Sequence, residues 1–203
     1  MKDIISESKA VFSSLEKWTA LYEINQQVPA IIHRWFTDGV EALRKDFEAN
    51  PSQEWKCSEW GSKQDLRWYL ADLGWHSVGF GFGWPEFEFH LHVELGGSCD
   101  WQKAISVLRK PEFEPLLTIF DAHYSNTPHR GKEGSLCSDG HFNPFSDTQD
   151  AKLRQHIIAW HAIHDQANFV EKMSAKVRQI TDNPSMTGLI RKLNLQSRRE
   201  TAS

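Results

Sequence analysis

The hydrophobic positions at the start of the chain follow a helical spacing. Apolar residues recur at intervals of three and four and predict two amphipathic helices, the first ending near Asn25 and the second beginning at Pro29. Proline suits the first turn of a helix, and Asn50-Pro51 marks the end of the second helix. We expect the two helices to form an antiparallel helical hairpin. The first stripe is Ile4, Ile5, Val11, Phe12, Leu15, Trp18 and Tyr22, and the second is Ile31, Ile32, Trp35, Phe36, Val40, Leu43 and Phe47.

Two segments in the middle of the chain carry the strongest strand signals. Residues 86–95 alternate apolar and polar side chains, and residues 75–83 precede them across Trp84-Pro85. We expect an antiparallel hairpin with Gly83 opposite Glu86. One face of this hairpin is predicted to be core, and it carries Val78, Phe80, Phe82, Phe87, Phe89, Leu91 and Val93.

The segment before the hairpin gives a weaker signal. Residues 55–60 alternate weakly and predict a strand. Ser62 and Asp65 stand in capping-box spacing before a short helix over 66–73, with Gly74 as its end. An extended conformation for residues 66–70 is the alternative.

Helices are predicted to follow the hairpin and to cover the sheet. Asp100 is placed to cap a helix over 101–109, and a second helical segment follows over 113–120. The apolar stripe of residues 148–180 predicts one long helix, which Asn183-Pro184 ends. We therefore predict an α+β fold, in which an antiparallel sheet centred on the hairpin is covered by the N-terminal helices and the long C-terminal helix. The core is expected to join the Phe face to Trp35, Phe36, Ile157 and Trp160.

The domain organisation follows from the breakers in the sequence. Residues 124–147 contain Gly and Asn-Pro breakers and little periodicity, so we predict a long internal loop there. Residues 1–183 are interpreted as a single domain. Residues 184–203 are predicted to form a short helix followed by a flexible polar tail.

Composition narrows the environment in which we expect the protein. The 203 residues are 39% hydrophobic and 25% charged, include nine tryptophans, and carry a net charge of -4. This charge gives no whole-molecule positive field for nucleic acid or an anionic membrane. The three cysteines, Cys57, Cys99 and Cys137, are widely spaced and argue against a disulfide scaffold and a zinc knuckle. With no apolar segment resembling a signal peptide or a membrane span, we expect a cytoplasmic location.

The hairpin face opposite the phenylalanines has an unusual pattern. Gly79, Gly81 and Gly83 occupy alternate positions of one strand. Such a smooth strip is typical of a strand that another backbone, a helix or a ligand approaches closely. With Trp75 and Trp84 beside it, this aromatic and Gly-rich face is a candidate binding surface.

Histidines and carboxylates line the facing strand. Glu88, His90, His92 and Glu94 point the same way and can converge on one divalent ion, zinc or manganese being the ions that suit imidazole with carboxylate. His161 and Asp165 share a helix face and are candidate further ligands. The simpler interpretation of the strand is a solvated polar sheet face, and that of the helix is a set of semi-buried residues at a helix interface.

The predicted loop contains a small basic cluster. His129, Arg130 and Lys132 lie among glycines and could form an anion-binding segment. An ordinary flexible loop is the alternative, since no phosphate-loop pattern is present.

Two classes of function fit these observations. The first is a non-catalytic binding or regulatory module that engages a protein partner, including a second copy of itself, through the aromatic and Gly-rich face and needs no cofactor. The second is a metal-dependent hydrolase, such as a phosphoesterase or nuclease, that uses the His/Glu strand. No Gly-x-Ser-x-Gly elbow or recognisable cysteine nucleophile supports covalent catalysis.

Overall fold

An antiparallel sheet of six strands packs against a layer of helices. The computed structural model describes residues 8, 11, 13–60, 65–83, 88–94, 97–120, 123–124, 133–139, 142–148 and 150–199. The helices are α1 (Leu15–Ala49), α2 (Trp101–Leu108), α3 (Glu114–Ile119, after a 3-10 turn over Pro111–Phe113), α4 (Ala151–His164), α5 (Gln166–Thr181) and α6 (Pro184–Gln196). The strands are β1 (Trp55–Trp60), β2 (Asp65–Leu70), β3 (Val78–Gly83), β4 (Glu88–Glu94), β5 (His123–Tyr124) and β6 (Glu133–Asp139), in the order β1-β2-β3-β4-β6-β5. This architecture confirms the predicted α+β class.

Residues 15–49 form one helix, so the predicted helical hairpin with its turn before Pro29 is wrong. Helix α1 runs without interruption through Pro29 and ends at Ala49, where Asn50 is the C-cap. A proline inside a helix removes one backbone hydrogen bond. Pro29 is exposed, so water can bind the carbonyl left over in the preceding turn. The predicted end at Asn50-Pro51 is confirmed.

The central hairpin forms on the predicted strands with a different register. Phe80 pairs with Leu91 and Phe82 with Phe89, which shifts the pairing by two residues from the prediction. A shift of two keeps every side chain on its face, because side chains alternate along a strand. The predicted core face is therefore confirmed, with Phe80, Phe82, Phe89 and Leu91 fully buried. Phe87 lies outside the described residues.

Two strands occur where other structure was expected. Residues 66–70 belong to β2, so the extended alternative is confirmed and the short helix is wrong. Strand β6 lies inside the predicted loop and pairs with β4. Its residues are mostly small or polar and give little strand signal, because the ladder with β4 supplies the stabilisation that side-chain propensity lacks.

The C-terminal region is three helices. The predicted long helix is broken at Asp165, whose backbone (φ -143, ψ 50) leaves the helical region between α4 and α5. Helix α6 has 13 residues and occupies the region where a short helix was predicted. It belongs to the core, since its Asn194 accepts a 2.6 Å hydrogen bond from the backbone N–H of Val78 in β3.

Helices α1, α4 and α5 pack closely around Gly39, which has no side chain. A Cβ added at Gly39 would lie 2.6 Å from the Cβ of Ala162 and 3.2 Å from the Phe169 ring. This contact turns Ile158, Ala159 and Ala162 of α4 inward. Trp160, predicted in the core, is instead 48% exposed, while Phe36 is fully buried as predicted.

Candidate functional site

The glycine strip of β3 is closed over by the chain itself. Gly79, Gly81 and Gly83 are all buried. A Cβ at Gly79 would stand 2.6 Å from the Trp68 carbonyl oxygen of β2, and one at Gly83 would stand 2.5 Å from the His90 ring. The predicted close approach is therefore made by the neighbouring strand and by side chains of the sheet. The three glycines offer no open groove in the described structure.

Arg67 of β2, which the sequence did not mark as a site residue, fills the space over the strip. Its side chain is fully buried and donates a hydrogen bond to the Ser77 carbonyl oxygen. Its guanidinium carbon lies 4.8 Å from the centre of the Trp75 ring, a cation–π contact that places the predicted aromatic against a buried charge. Trp75 therefore packs against Arg67 on this face of the sheet.

The histidines of β4 lie beside Arg67. The rings of His90 and His92 meet edge to face, with centroids 5.3 Å apart, and His92 is fully buried. Burial, the Arg67 charge and the neighbouring His90 hold the pKa of His92 well below its ordinary value, so this imidazole is neutral. A side chain with no exposed surface meets no substrate without a rearrangement.

The carboxylates of β4 divide between two environments. Glu94 binds His76, with 2.5 Å between the carboxylate oxygen and Nδ1 of the ring. Glu88 is half-buried at the other end of the strand. The predicted ligands of β4 thus lie on one face of the sheet but do not converge on a common position where an ion could bind.

The second part of the predicted metal site lies in the helical layer. His161 stacks on Phe145 with 4.1 Å between ring centres, and its Nδ1 lies 3.4 Å from an oxygen of Asp165. Phe145 in turn stacks on Phe169. Phe169 belongs to the same core as the phenylalanines of the sheet. His90 and His92 project from the other face, because alternate residues of a strand point to opposite sides. Among the described residues, no group of three or more His, Cys, Asp or Glu is arranged to hold a metal ion.

The remaining predicted binding residues are outside the described part of the chain. These are Trp84, His129, Arg130 and Lys132. The anion-binding interpretation of the basic cluster stays a prediction, as does the metal-dependent hydrolase.

Among the residues that the structure describes, the most exposed apolar side chains lie on the N-terminal half of α1. Every residue from 13 to 27 is exposed, and Leu15, Trp18 and Tyr22 are 79%, 57% and 62% exposed. Together with Leu21 they form a row on one side of the helix, which we call the α1 stripe. Monomeric proteins seldom leave a row of large apolar side chains in water unless it has a binding role.

The α1 stripe continues the face of α1 that packs into the core. Positions 15, 18, 22, 25, 29, 32, 36, 40 and 43 follow one another at intervals of three and four, so they lie along one side of the helix. From Ile32 onward this side is buried against α4, α5 and the first two strands. Only Asn25 and Pro29 interrupt the apolar series. They lie where α1 extends beyond the body of the protein, by which we mean α4, α5 and the sheet.

Contacts between the helices explain why the N-terminal half projects. Trp35 meets His164 at the end of α4, with ring centres 5.3 Å apart, and Gly39 meets Ala162 one turn further along. Helix α4 therefore runs antiparallel to α1 and turns into α5 near the level of Trp35. The 35 residues of α1 span about 52 Å, so its first turns extend beyond the helices that bury its second half.

A hollow on the projecting half has the spacing of a helix-packing site. Trp18, Leu21, Tyr22 and Asn25 line a depression of about 220 Å³, and depressions of about 450 and 490 Å³ lie over other sides of the same helix, beside Glu23. The four residues of the first depression stand at i, i+3, i+4 and i+7, the four positions that surround a side chain inserted from a neighbouring helix.

Comparison of the chain with protein-family models, with curated proteins and with solved structures gave no match. Within the described residues, no helix combines the length and the apolar character needed to cross a membrane.

Proposed function

We propose that the protein is a non-catalytic protein-binding module whose binding surface is the α1 stripe. The observation that carries this proposal is the exposure of Leu15, Trp18 and Tyr22 on a helix face that is core a few turns further along. The sequence pattern alone pointed to the glycine face of the hairpin. The burial of its glycines moves the proposed surface to α1.

The chemistry of the α1 stripe suits a protein partner. Tryptophan and tyrosine are the residues that most often anchor interfaces, because each buries a large area while losing little side-chain entropy. The flanking positions Ser14, Thr19 and Gln26 are uncharged, and Lys17 lies beside Leu21 at the border. A partner that offers an apolar helix face or groove would be recognised by shape and hydrophobic burial.

A site-specific photocrosslinker tests this proposal in the cells that make the protein. Benzoylphenylalanine placed at Trp18 should give a covalent adduct of one discrete mass, identifiable by mass spectrometry. The matched control is the same group at Ala20, which two residues of helical rotation place on the other side of α1. No adduct from position 18, or equal adducts from both positions, would refute the proposed binding surface.

A further inference from the structure

We infer that Arg154 of α4 anchors a binding site for a small oxyanion, the carboxylate or phosphate group of a small molecule. The inference goes beyond the proposed function and does not depend on the α1 stripe. Arg154 is 5% exposed, and its Nε atom is closed off from solvent with no hydrogen-bond acceptor. A buried donor that carries a full charge is the strongest sign of a missing anion in the described part of the chain.

Arg154 differs in this respect from other arginines of the protein. Arg44, Arg178 and Arg191 are partly exposed and are paired with carboxylates. Their partners are Glu41 and Glu48, Asp46, and Glu54 and Asp72, respectively. Arg154 forms neither an ion pair nor a side-chain hydrogen bond with any residue that the structure describes. An arginine stays protonated inside a protein, and removing one member of a buried ion pair is strongly destabilising, so this guanidinium needs an anion from outside.

The carboxylate closest in sequence is engaged elsewhere. Asp150 stands four residues before Arg154, a spacing that suits an ion pair on a helix. Its side chain is instead the N-cap of α4 and accepts the backbone N–H groups of Lys152 and Leu153 at 2.9 and 3.0 Å. The cap holds this carboxylate over the end of the helix, which leaves the guanidinium of Arg154 to an external ligand.

The helical position of Arg154 places the site at the start of α4. Arg154 lies on the same buried side of α4 as Ile158 and Ala162, one and two turns further along. Side chains of a helix lean toward its N-terminus, so the guanidinium lies beside the first turn of α4. The site is therefore at the opposite end of the body from the α1 stripe, since α4 runs antiparallel to α1.

The C-terminal end of α1 is the alternative source of compensation for this charge. Gly39 meets Ala162, so Arg154, about two turns earlier on the antiparallel α4, is level with the last turn of α1 before Ala49. That turn contains no basic residue of its own. A helix end carries about half a unit of negative charge, which offsets only part of a guanidinium. The two sources of compensation predict different effects when Arg154 is replaced.

The chemistry of the guanidinium defines the class of ligand. Its planar fork of N–H groups matches the paired oxygens of a carboxylate or a phosphate, and these charge-assisted bonds are short and strong. The near-complete burial of Arg154 suits one protruding anionic group. A nucleic-acid backbone is read by several exposed cations together, and the net charge of this chain is -4. A small molecule with a single carboxylate or phosphate is the ligand that fits.

Arg154→Met tests the site through stability, because it keeps the length of the side chain and removes the charge. In buffer without oxyanions, the variant should be at least as stable as the wild type, since a buried unpaired charge has been replaced by an apolar group. Inorganic phosphate or acetate, added at constant ionic strength against sodium chloride, should raise the urea midpoint of the wild type and leave that of the variant unchanged. The order of the two midpoints should therefore reverse, and the anion with the larger effect distinguishes phosphate from carboxylate.

A titration followed by NMR measures the binding directly. The Nε–H resonance of Arg154, assigned by its loss in Arg154→Lys, should shift with phosphate or acetate and reach saturation. Arg154→Lys keeps a positive charge without the planar fork and should raise the dissociation constant, measured by calorimetry, at least about tenfold. Arg34→Met is the matched control, because Arg34 is exposed and paired with Asp38, and it should leave the dissociation constant unchanged.

The outcomes decide between the site and the end of α1. A saturable shift of the Nε–H resonance, lost with Arg154, together with the reversal of midpoints is the expected result. If Arg154→Met destabilises the protein by the same amount with and without oxyanion, the chain compensates the charge itself and the site is refuted. A wild-type response that does not saturate, or that Arg154→Met retains, also overturns the inference. Should Arg154→Met not fold, the NMR titration and Arg154→Lys give the same decision.

Discussion

Gly39 of α1 lies so close to Ala162 of α4 that a Cβ built on the glycine would stand 2.6 Å from the Ala162 Cβ. This contact sets the level at which α4 crosses α1. It therefore also sets where α1 leaves the body and how much of its apolar face stays exposed.

Gly39→Ala should destabilise the protein in chemical denaturation by about 1–3 kcal/mol, the usual cost of overpacking a tight contact. The destabilisation is expected although alanine favours a helix over glycine by about 1 kcal/mol. The matched control is Gly188→Ala in α6, where nothing lies within 4 Å of the added Cβ. That change should stabilise by about 1 kcal/mol, and an equal gain at Gly39 would show that α1 and α4 do not pack as described.

The fold could be predicted where local pattern and tertiary packing agree. The alternation of β4 identified the buried face of the hairpin, although four residues between β3 and β4 separate Gly83 from Glu88 and shift the register by two. Strand β6 could not be predicted, because its small residues adopt the strand only through pairing with β4. The break at Asp165 was missed because the apolar spacing runs through it.

Asn194 joins α6 to the sheet and should be costly to remove. Its amide accepts from the Val78 N–H at 2.6 Å and donates to the Val78 carbonyl at 3.3 Å, in a buried position. Asn194→Ala leaves both backbone groups without this partner and should cost about 1–3 kcal/mol in chemical denaturation. Leu195→Ala, next in sequence and exposed, should change stability by less than about 0.5 kcal/mol. Equal losses of unfolding free energy in the two variants would show that the hydrogen bonds of Asn194 do not stabilise the fold.

His92 should make the protein less stable in acid. Its pKa is lowered by burial, by Arg67 and by His90, so the folded state does not take up the proton that the unfolded chain binds below about pH 6.5. Stability is therefore complete above that pH and falls as the pH drops, by up to about 1.4 kcal/mol per pH unit from this residue. His92→Gln should flatten the dependence of unfolding free energy on pH between about 6.5 and 5. The same slope in the variant would contradict a buried, neutral imidazole.

The proposed site illustrates what a sequence pattern leaves open. The spacing of Leu15, Trp18 and Tyr22 correctly indicated an amphipathic helix, but the same spacing describes a helix face that packs inside and one that awaits a partner. Pro29 suggested a helix start, which hid the fact that the first stripe from Leu15 onward and the second stripe lie on one continuous helix face. Only the level at which α4 ends, near Trp35, shows which part of that face is exposed.

Hydrogen–deuterium exchange along α1 tests most directly whether the α1 stripe is an open binding surface. In dilute solution, the amides of residues 15–27 should exchange much faster than those of residues 32–43, because no packed layer holds the projecting turns closed. A variant with Trp18→Ser and Tyr22→Ser should keep this difference between the two halves, because both substitutions lie outside the packed half of α1. Equal protection of the two halves would show that the chain covers this face itself and would contradict the account.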